Sequence, residues 1–190
     1  SSDTVAKDSS PATTAAAGSR DNTPVVLTGS ADGTVTYGND SVTVDASHTE
    51  EGYLMVSYSG SNSKVKLQIT GSDEITYTYN LHDGYETFPL TSGSGSYTVG
   101  VFENIEGTSY STLFTQAIDV TIQDEFGPYL YANQYVNFSA DSKVISKAME
   151  LSASANDDLE VIENIYNYII TNFTYDYDKA ASVQSGYLPD

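Results

Sequence analysis

The chain has 190 residues, enough for one or two small domains, and 39% of them are hydrophobic, enough for a real core. Its 7 basic and 26 acidic residues give a net charge of −19, which argues against nucleic acid and anionic lipid as partners. Because the sequence contains no cysteine, it excludes disulfides, thiolate metal sites and a cysteine nucleophile within these residues. No apolar run approaches the ~20 residues that a membrane span needs.

The first 22 residues consist mainly of Ser, Thr, Ala and Asp, and Val5 is their only sizeable apolar residue. Such a segment buries too little apolar surface to offset the entropy lost on ordering. We therefore expect residues 1–22 to be a flexible tether, which suits an extracellular or cell-surface protein, with lipid anchoring through a residue that precedes Ser1 as one route. An artificial tail would have a similar composition.

Residues 23–123 alternate between apolar and polar side chains with a period of two. Val65, Leu67 and Ile69 alternate with Lys66 and Gln68, so one face of that strand is expected to be buried. Strands are predicted at 24–27, 34–37, 42–44, 53–58, 65–70, 75–79, 97–103 and 115–122. Short strands separated by Gly, Asn, Asp and Ser turns predict an immunoglobulin-like antiparallel β-sandwich. Tyr97 enters a late strand ahead of alternating valines, as in the tyrosine corner of such sandwiches.

An aromatic connector and a helical part follow the predicted sandwich. Residues 124–140 contain Pro128, which excludes a central strand, and too many large apolar side chains for a free linker. We expect this connector to pack along the joint between two structural units. Residues 141–190 then show two helical patterns separated by a short turn at 152–156, which predict an αα-hairpin.

The second helical pattern carries clear start and stop signals. Asp157 is expected to cap it, with Glu160 reaching back as in a capping box. An apolar stripe follows at Leu159, Ile162, Ile165, Tyr166, Ile169 and Phe173. The helix is expected to end near 175–178 and to pass into a loop. The paired acids at 157–158 and 176–178 are interpreted as helix caps or solvated residues, because calcium needs more oxygen ligands.

Few residues suggest chemistry. His48 and His82 lie in predicted turns beside acids, where a metal site or an acid–base pair is one interpretation and an ordinary exposed histidine is the other. The sequence contains 16 tyrosines, which invites a sugar-stacking interpretation, although Tyr also favours strands. The candidate ligand-contact platform consists of Tyr53, Tyr77, Tyr79 and Tyr85. We predict no catalytic, metal-binding or cofactor-binding residue and no cofactor.

Six segments of the second half form a recognisable series: 128–131, 133–136, 157–162, 165–168, 174–176 and 186–190. Together they resemble the opening part of the transglutaminase-like domain of exported bacterial proteins, in the papain-like cysteine superfamily. The resemblance implies a helix pair that leads to a glycine-containing loop and a helix with a nucleophilic Cys, followed by His and Asp on strands. The predicted sandwich resembles the immunoglobulin-like module that often precedes this domain.

The resemblance carries no catalytic residue onto this chain, since the sequence reaches Asp190 before the position of the nucleophile. We therefore expect a non-catalytic accessory module (23–123), a connector (124–140) and the leading helices of a truncated domain (141–190). The parent would perform cysteine-dependent amide hydrolysis or acyl transfer. The alternatives are a stand-alone module that binds cell-wall glycan or peptide, and a cell-surface spacer. The incomplete apolar stripe also predicts packing on the sandwich or a homodimer through the helices.

Overall fold

The strands of this chain follow its alternating apolar side chains. The computed structural model describes residues 17–188. Within that range the strands are β1 (Thr36–Gly38), β2 (Val42–Asp45), β3 (Tyr53–Tyr58), β4 (Val65–Thr70), β5 (Thr76–Asn80), β6 (Gly84–Pro89), β7 (Gly95–Glu106) and β8 (Ser109–Val120). They form two antiparallel sheets, in the orders β1-β2-β3-β6 and β5-β4-β7-β8. The predicted mainly β chain, with an antiparallel β-sandwich followed by helices, is therefore confirmed.

The core lies between the inward faces of the two sheets. In β4 the residues at alternate positions are buried, and Lys66 and Gln68 between them are half-buried. Burying each large aliphatic or aromatic side chain of this kind stabilises the fold by about 1.5–3 kcal/mol. The side chains most completely buried in this core are Tyr97, Phe88, Leu54, Leu67, Leu90, Val42, Val44, Val56, Val99 and Val101.

The predicted tyrosine corner is present at the start of β7. The Tyr97 hydroxyl donates a hydrogen bond to the carbonyl oxygen of Gly93 at 2.7 Å. The Tyr97 ring is buried, and Gly93 has a positive φ of 74°, which glycine adopts readily. The bond therefore ties the turn before β7 to the core of the sandwich, as expected for an immunoglobulin-like fold.

Replacing Tyr97 by phenylalanine should lower the free energy of unfolding by about 1 kcal/mol, since it removes one hydrogen bond and keeps the buried ring. Urea unfolding measures the change. Tyr85→Phe is the matched control, because Tyr85 lies exposed on β6. Equal midpoints for the two variants would show that the Tyr97 hydroxyl contributes nothing.

One predicted strand is absent, and one observed strand was not predicted. The segment 24–27 forms no strand, and only an isolated bridge joins Leu27 to Tyr131. In contrast, β6 was missed. It begins at Gly84, which has a φ of 84°, and ends at Pro89, and both residue types are turn signals in a sequence. Neighbouring residues Thr87 and Phe88 are both buried, so β6 also lacks the alternation that marks a half-buried strand.

The connector covers the outer face of β3. It contains a short 3-10 turn, Gly127–Tyr129, in which Gly127 and Pro128 are buried. The rings of Tyr53 and Tyr131 lie 4.4 Å apart between centroids. Strand β3 is thus buried on both faces, which explains its continuous apolar sequence. The connector thus packs on the sandwich, and its predicted packing along a joint between two units stays a prediction.

Three α-helices follow the connector in the described part of the chain: α1 (Lys143–Ser152), α2 (Asp158–Asn172) and α3 (Tyr177–Ser182). The Asp157 carboxylate caps α2 by accepting the Glu160 N–H at 2.9 Å, and the Glu160 carboxylate accepts the Asn156 N–H at 2.8 Å. The Asn164 amide donates to the Leu151 carbonyl at 2.9 Å, which joins α1 to α2. These contacts confirm the predicted helix pair and its cap.

The chain divides into two compact units. One contains α1 and α2 with residues 17–24, and the other contains both sheets, the connector and residues 176–188. This division differs from the expected boundaries at 22 and 141. Residues 17–24 group with α1 and α2, and α3, which was expected to be a loop, groups with the sandwich. Asp176 caps α3 by accepting the Lys179 N–H at 2.8 Å, so the interpretation of this acid as a cap is confirmed.

The described end of the predicted tether makes specific contacts within the helical unit. Asn22 donates its side-chain amide to the Ser152 carbonyl at 2.6 Å. The Arg20 guanidinium contacts the Asp158 carboxylate at 2.6 Å. Residues 1–16, which form the rest of the predicted tether, lie outside the described residues.

Candidate functional site

A concave groove opens beside β5, one of the two edge strands of the second sheet. Its volume is about 490 Å³. Exposed aromatic rings and small polar side chains line it together, a combination typical of small-molecule and peptide pockets. The lining residues are Tyr77, Thr78, Tyr79, Pro89, Thr91, Tyr129, Asn133 and Tyr135.

Three parts of the sandwich unit position the aromatic rings of this groove. Tyr77 and Tyr79 lie on β5 opposite the inward-facing residues of β4, so they point toward the gap between the sheets. Tyr79 is buried, and its ring meets that of Phe88 edge-on with 5.0 Å between centroids. Tyr135 comes from the connector, with its ring 6.0 Å from that of Tyr79. Tyr129 ends the 3-10 turn and is 66% exposed.

The environment of Tyr79 keeps the base of the groove neutral. Burial, with smaller contributions from Tyr135 and Tyr77, raises the pKa of the Tyr79 phenol to about 12. The phenol is therefore protonated at any physiological pH, and it adds no charge to the groove.

A second cavity, of about 630 Å³, adjoins the groove. The two cavities share Thr91 and Tyr129 in their linings. The second one also contains the exposed carboxylates of Asp124 and Glu125, and neither lining includes lysine or arginine. We refer to the two cavities together as the tyrosine groove. Its electrostatics favour neutral or cationic ligands over anionic ones.

The structure does not bring the four candidate tyrosines together as one exposed platform. Tyr53 is buried beneath the connector, and Tyr85 lies on β6 outside the groove lining. Tyr77 and Tyr79 do line the groove, although only Tyr77 is substantially exposed. Sequence reasoning missed Tyr129 and Tyr135, because the aromatic content of the connector was attributed wholly to packing.

His48 lies among acids and hydroxyls near the start of the sandwich. Its Nε2 is 2.8 Å from Asp32 Oδ2 and 3.2 Å from Ser30 Oγ, and its Nδ1 is 3.3 Å from Glu51 Oε1. The ring also stacks on Tyr53, with 5.3 Å between centroids. Since both nitrogens face carboxylates, this histidine joins the loop before β1 to the turn before β3.

The charge on His48 should depend on these carboxylates. Burial alone would lower the pKa of His48, but hydrogen bonds with Asp32 and Glu51 outweigh burial and hold the pKa above the ordinary 6.5. The contribution of these contacts to folding stability is therefore fully present below the unfolded pKa of His48. It is lost as pH rises through the folded pKa of His48. An NMR titration of the imidazole should show this shift, and Asp32→Asn should lower the pKa. A titration that Asp32→Asn leaves unchanged would contradict the assignment.

His82 makes a simpler contact. Its Nδ1 is 3.0 Å from Glu86 Oε1, and the Gln134 side chain donates to the same oxygen at 2.8 Å. Among residues 17–188, no group of three or more His, Asp or Glu side chains is arranged to hold a metal ion. Both histidines therefore make local ion-pair or hydrogen-bond contacts with carboxylates.

Comparisons with known proteins assign this chain to no family. No protein-family model matches the chain, and no curated protein matches it in sequence. Within the described residues, no helix is both long and apolar enough to span a membrane.

Proposed function

We propose that this chain is a non-catalytic binding module whose ligand lies in the tyrosine groove. The observation that carries the proposal is the clustering of Tyr77, Tyr129 and Tyr135, each at least 45% exposed, around a cavity that also presents Thr91 and Asn133. Exposed aromatic rings on a soluble surface are the residues that most often dominate recognition. The ring hydroxyls and the Thr91 hydroxyl supply directional hydrogen bonds. The Asn133 amide adds one remaining N–H, since its Oδ1 accepts the N–H groups of Tyr135 and Val136 and its Nδ2 donates its other N–H to a main-chain carbonyl.

The ligand classes that suit this groove are glycan and peptide. Both offer apolar faces or side chains for the rings and polar groups for the threonine and asparagine side chains. The net charge of −19 and the carboxylates of Asp124 and Glu125 disfavour phosphorylated or otherwise anionic ligands. A cell-wall glycan or peptide at the surface of a cell is consistent with this chemistry.

Removing the most exposed ring should test the proposal. Tyr129→Ala should weaken binding about tenfold or more, since truncation of an aromatic hot spot costs about 2 kcal/mol and about 1.4 kcal/mol is tenfold in affinity. The measurement is a glycan array and a peptide array, followed by calorimetry with the best probe. Tyr129→Phe should retain most of the affinity, and Tyr85→Ala, outside the groove, should retain all of it. Equal binding by the wild type and Tyr129→Ala would remove Tyr129 from the site.

We further propose that the helical unit is the leading part of a transglutaminase-like domain in an exported protein. Two observations support it: the segments quoted from residues 124–190, and an apolar stripe on α2 that includes Leu159, Ile162 and Tyr166, each more than 60% exposed. Stripes of this size usually have a partner. A longer reading frame that encodes a cysteine after a glycine-containing loop, then His and Asp, would support the proposal. A frame without them would contradict it.

A homodimer through α2 is the alternative way to cover the same stripe. Light scattering of the chain, compared with a variant in which Ile162 is replaced by lysine, tests it. A wild-type dimer that becomes a monomer in Ile162→Lys supports self-association. A monomeric wild type would rule out the homodimer.

A further inference from the structure

We propose that the ligand of the tyrosine groove is an extended basic peptide that binds by adding a strand to the free edge of β5. This inference rests on the proposed binding function and specifies the ligand class. Strand addition uses main-chain hydrogen bonds for affinity and side-chain pockets for selectivity. Both requirements are met where β5 borders the groove.

The register of β5 shows which of its main-chain groups face outward. The N–H of Leu81, just beyond β5, donates to the carbonyl of Val65 at 3.0 Å. Hydrogen-bonded pairs recur at every second residue of an antiparallel ladder, so Tyr79 and Tyr77 also direct their main-chain groups at β4. The N–H and C=O of Thr78 therefore point away from the sheet, and Thr78 lines the groove.

One end of the β5 edge is occupied and the other is free. The Gln134 side chain donates to the carbonyl of Asn80 at 2.7 Å, which occupies an outward-facing group at one end. Thr76 and Thr78 are both exposed, and within the described residues their main-chain groups have no bond on the outer side. An edge strand in this state is a template for another strand. It has no proline or lysine to block pairing, since β5 reads TYTYN.

Charge complementarity selects a basic peptide over other extended chains. Asp124 and Glu125 are exposed beside Tyr129, and the lining contains no lysine or arginine. The cavity with these carboxylates joins the β5 groove at Thr91 and Tyr129. A long lysine or arginine side chain of a peptide paired with β5 would extend along the faces of the tyrosines toward the carboxylates, and both contacts are favourable to a cation.

The test uses a capped peptide of alternating lysine and valine, with a glutamate–valine peptide as its charge-reversed control. Calorimetry should detect the first peptide and not the second. Thr78→Pro removes an outward-facing N–H at an edge position where proline is tolerated, and should weaken binding about tenfold. Thr78→Val is the matched control. Like Thr78→Pro, it loses the hydrogen bond that the Gln68 side chain donates to the Thr78 hydroxyl, but it keeps the N–H. Unchanged urea midpoints confirm that both variants fold.

Backbone methylation of the peptide provides a second, independent readout. Methylating the nitrogen of every lysine in one peptide, and of every valine in another, should abolish binding in one case only, because alternate residues of a strand face the partner. Equal loss in both, or equal binding by Thr78→Pro and Thr78→Val, would overturn strand addition. If neutral oligosaccharides bind and Tyr129→Ala weakens them, while the peptides do not bind, the inference fails and the binding function stands. If neither class binds, both fail.

Discussion

Replacing Gly52 by alanine should lower the free energy of unfolding by about 3 kcal/mol, from two separate effects. Gly52 has a φ of 92°, in the left-handed region that side chains with a Cβ rarely adopt. A Cβ there would also lie 2.5 Å from Cδ of Pro128, which is shorter than the contact distance between two non-bonded carbon atoms. The turn before β3 and the connector therefore approach each other closely because residue 52 has no side chain.

A matched glycine separates the two effects. Gly84 has a similar φ of 84°, but nothing lies within 4 Å of a Cβ added there. Gly84→Ala should therefore show only the backbone cost, about 1–2 kcal/mol. Urea unfolding of both variants gives the difference, which measures the contact between Pro128 and the turn. Equal losses of stability in the two variants would mean that the connector moves away from the added Cβ with no loss of folding free energy.

Replacing Asp45 by alanine should destabilise the sandwich by about 2 kcal/mol, because it removes two main-chain hydrogen bonds to a charged carboxylate. Asp45 is 2% exposed. Its carboxylate accepts the Gly33 N–H at 2.7 Å and the Ser47 N–H at 2.9 Å. The exposed Asp40 provides the control, and Asp40→Ala should change the midpoint little. An Asp45→Ala midpoint equal to that control would contradict the role of the carboxylate.

The same carboxylate should make the wild type sensitive to acid. Burial alone would raise the pKa of Asp45, but the hydrogen bonds from Ser47 and Gly33 outweigh burial and hold the pKa below 3.8. Its stabilisation is thus present above the unfolded pKa and lost as pH falls through the lower folded pKa. The gap in stability between the wild type and Asp45→Ala should narrow over that acidic range. A constant gap would show that the carboxylate does not lose its bonds on protonation.

Local sequence patterns predicted the strands and helices that have a clear apolar pattern or a clear cap residue. The bounds of β3 and β4 follow directly from their apolar residues, and Asp157 with Glu160 marks the start of α2. Strand β6 was missed because its buried residues Thr87 and Phe88 are neighbours, while Tyr85 is exposed, so the strand shows no alternation of apolar and polar side chains. Helix α3 was missed because it has only six residues, too short for a periodic pattern.

The tyrosine groove could be predicted only in part. Tyr77 and Tyr79 were selected as aromatic residues of one strand, which the sequence shows directly. Tyr129 and Tyr135 meet them because the connector folds back on the sandwich from about 50 residues further along the chain, through contacts such as that between Gln134 and Asn80. No local pattern contains that information.

The most direct test of the proposed binding site is an NMR titration of the isotope-labelled chain with the lysine–valine peptide and with neutral oligosaccharides. A ligand in the tyrosine groove should shift the amide signals of Thr78, Tyr129 and Asn133 and leave those of β1 unchanged. Shifts confined to other surfaces, or no shifts with either class of probe, would contradict the assignment of this groove as the binding site.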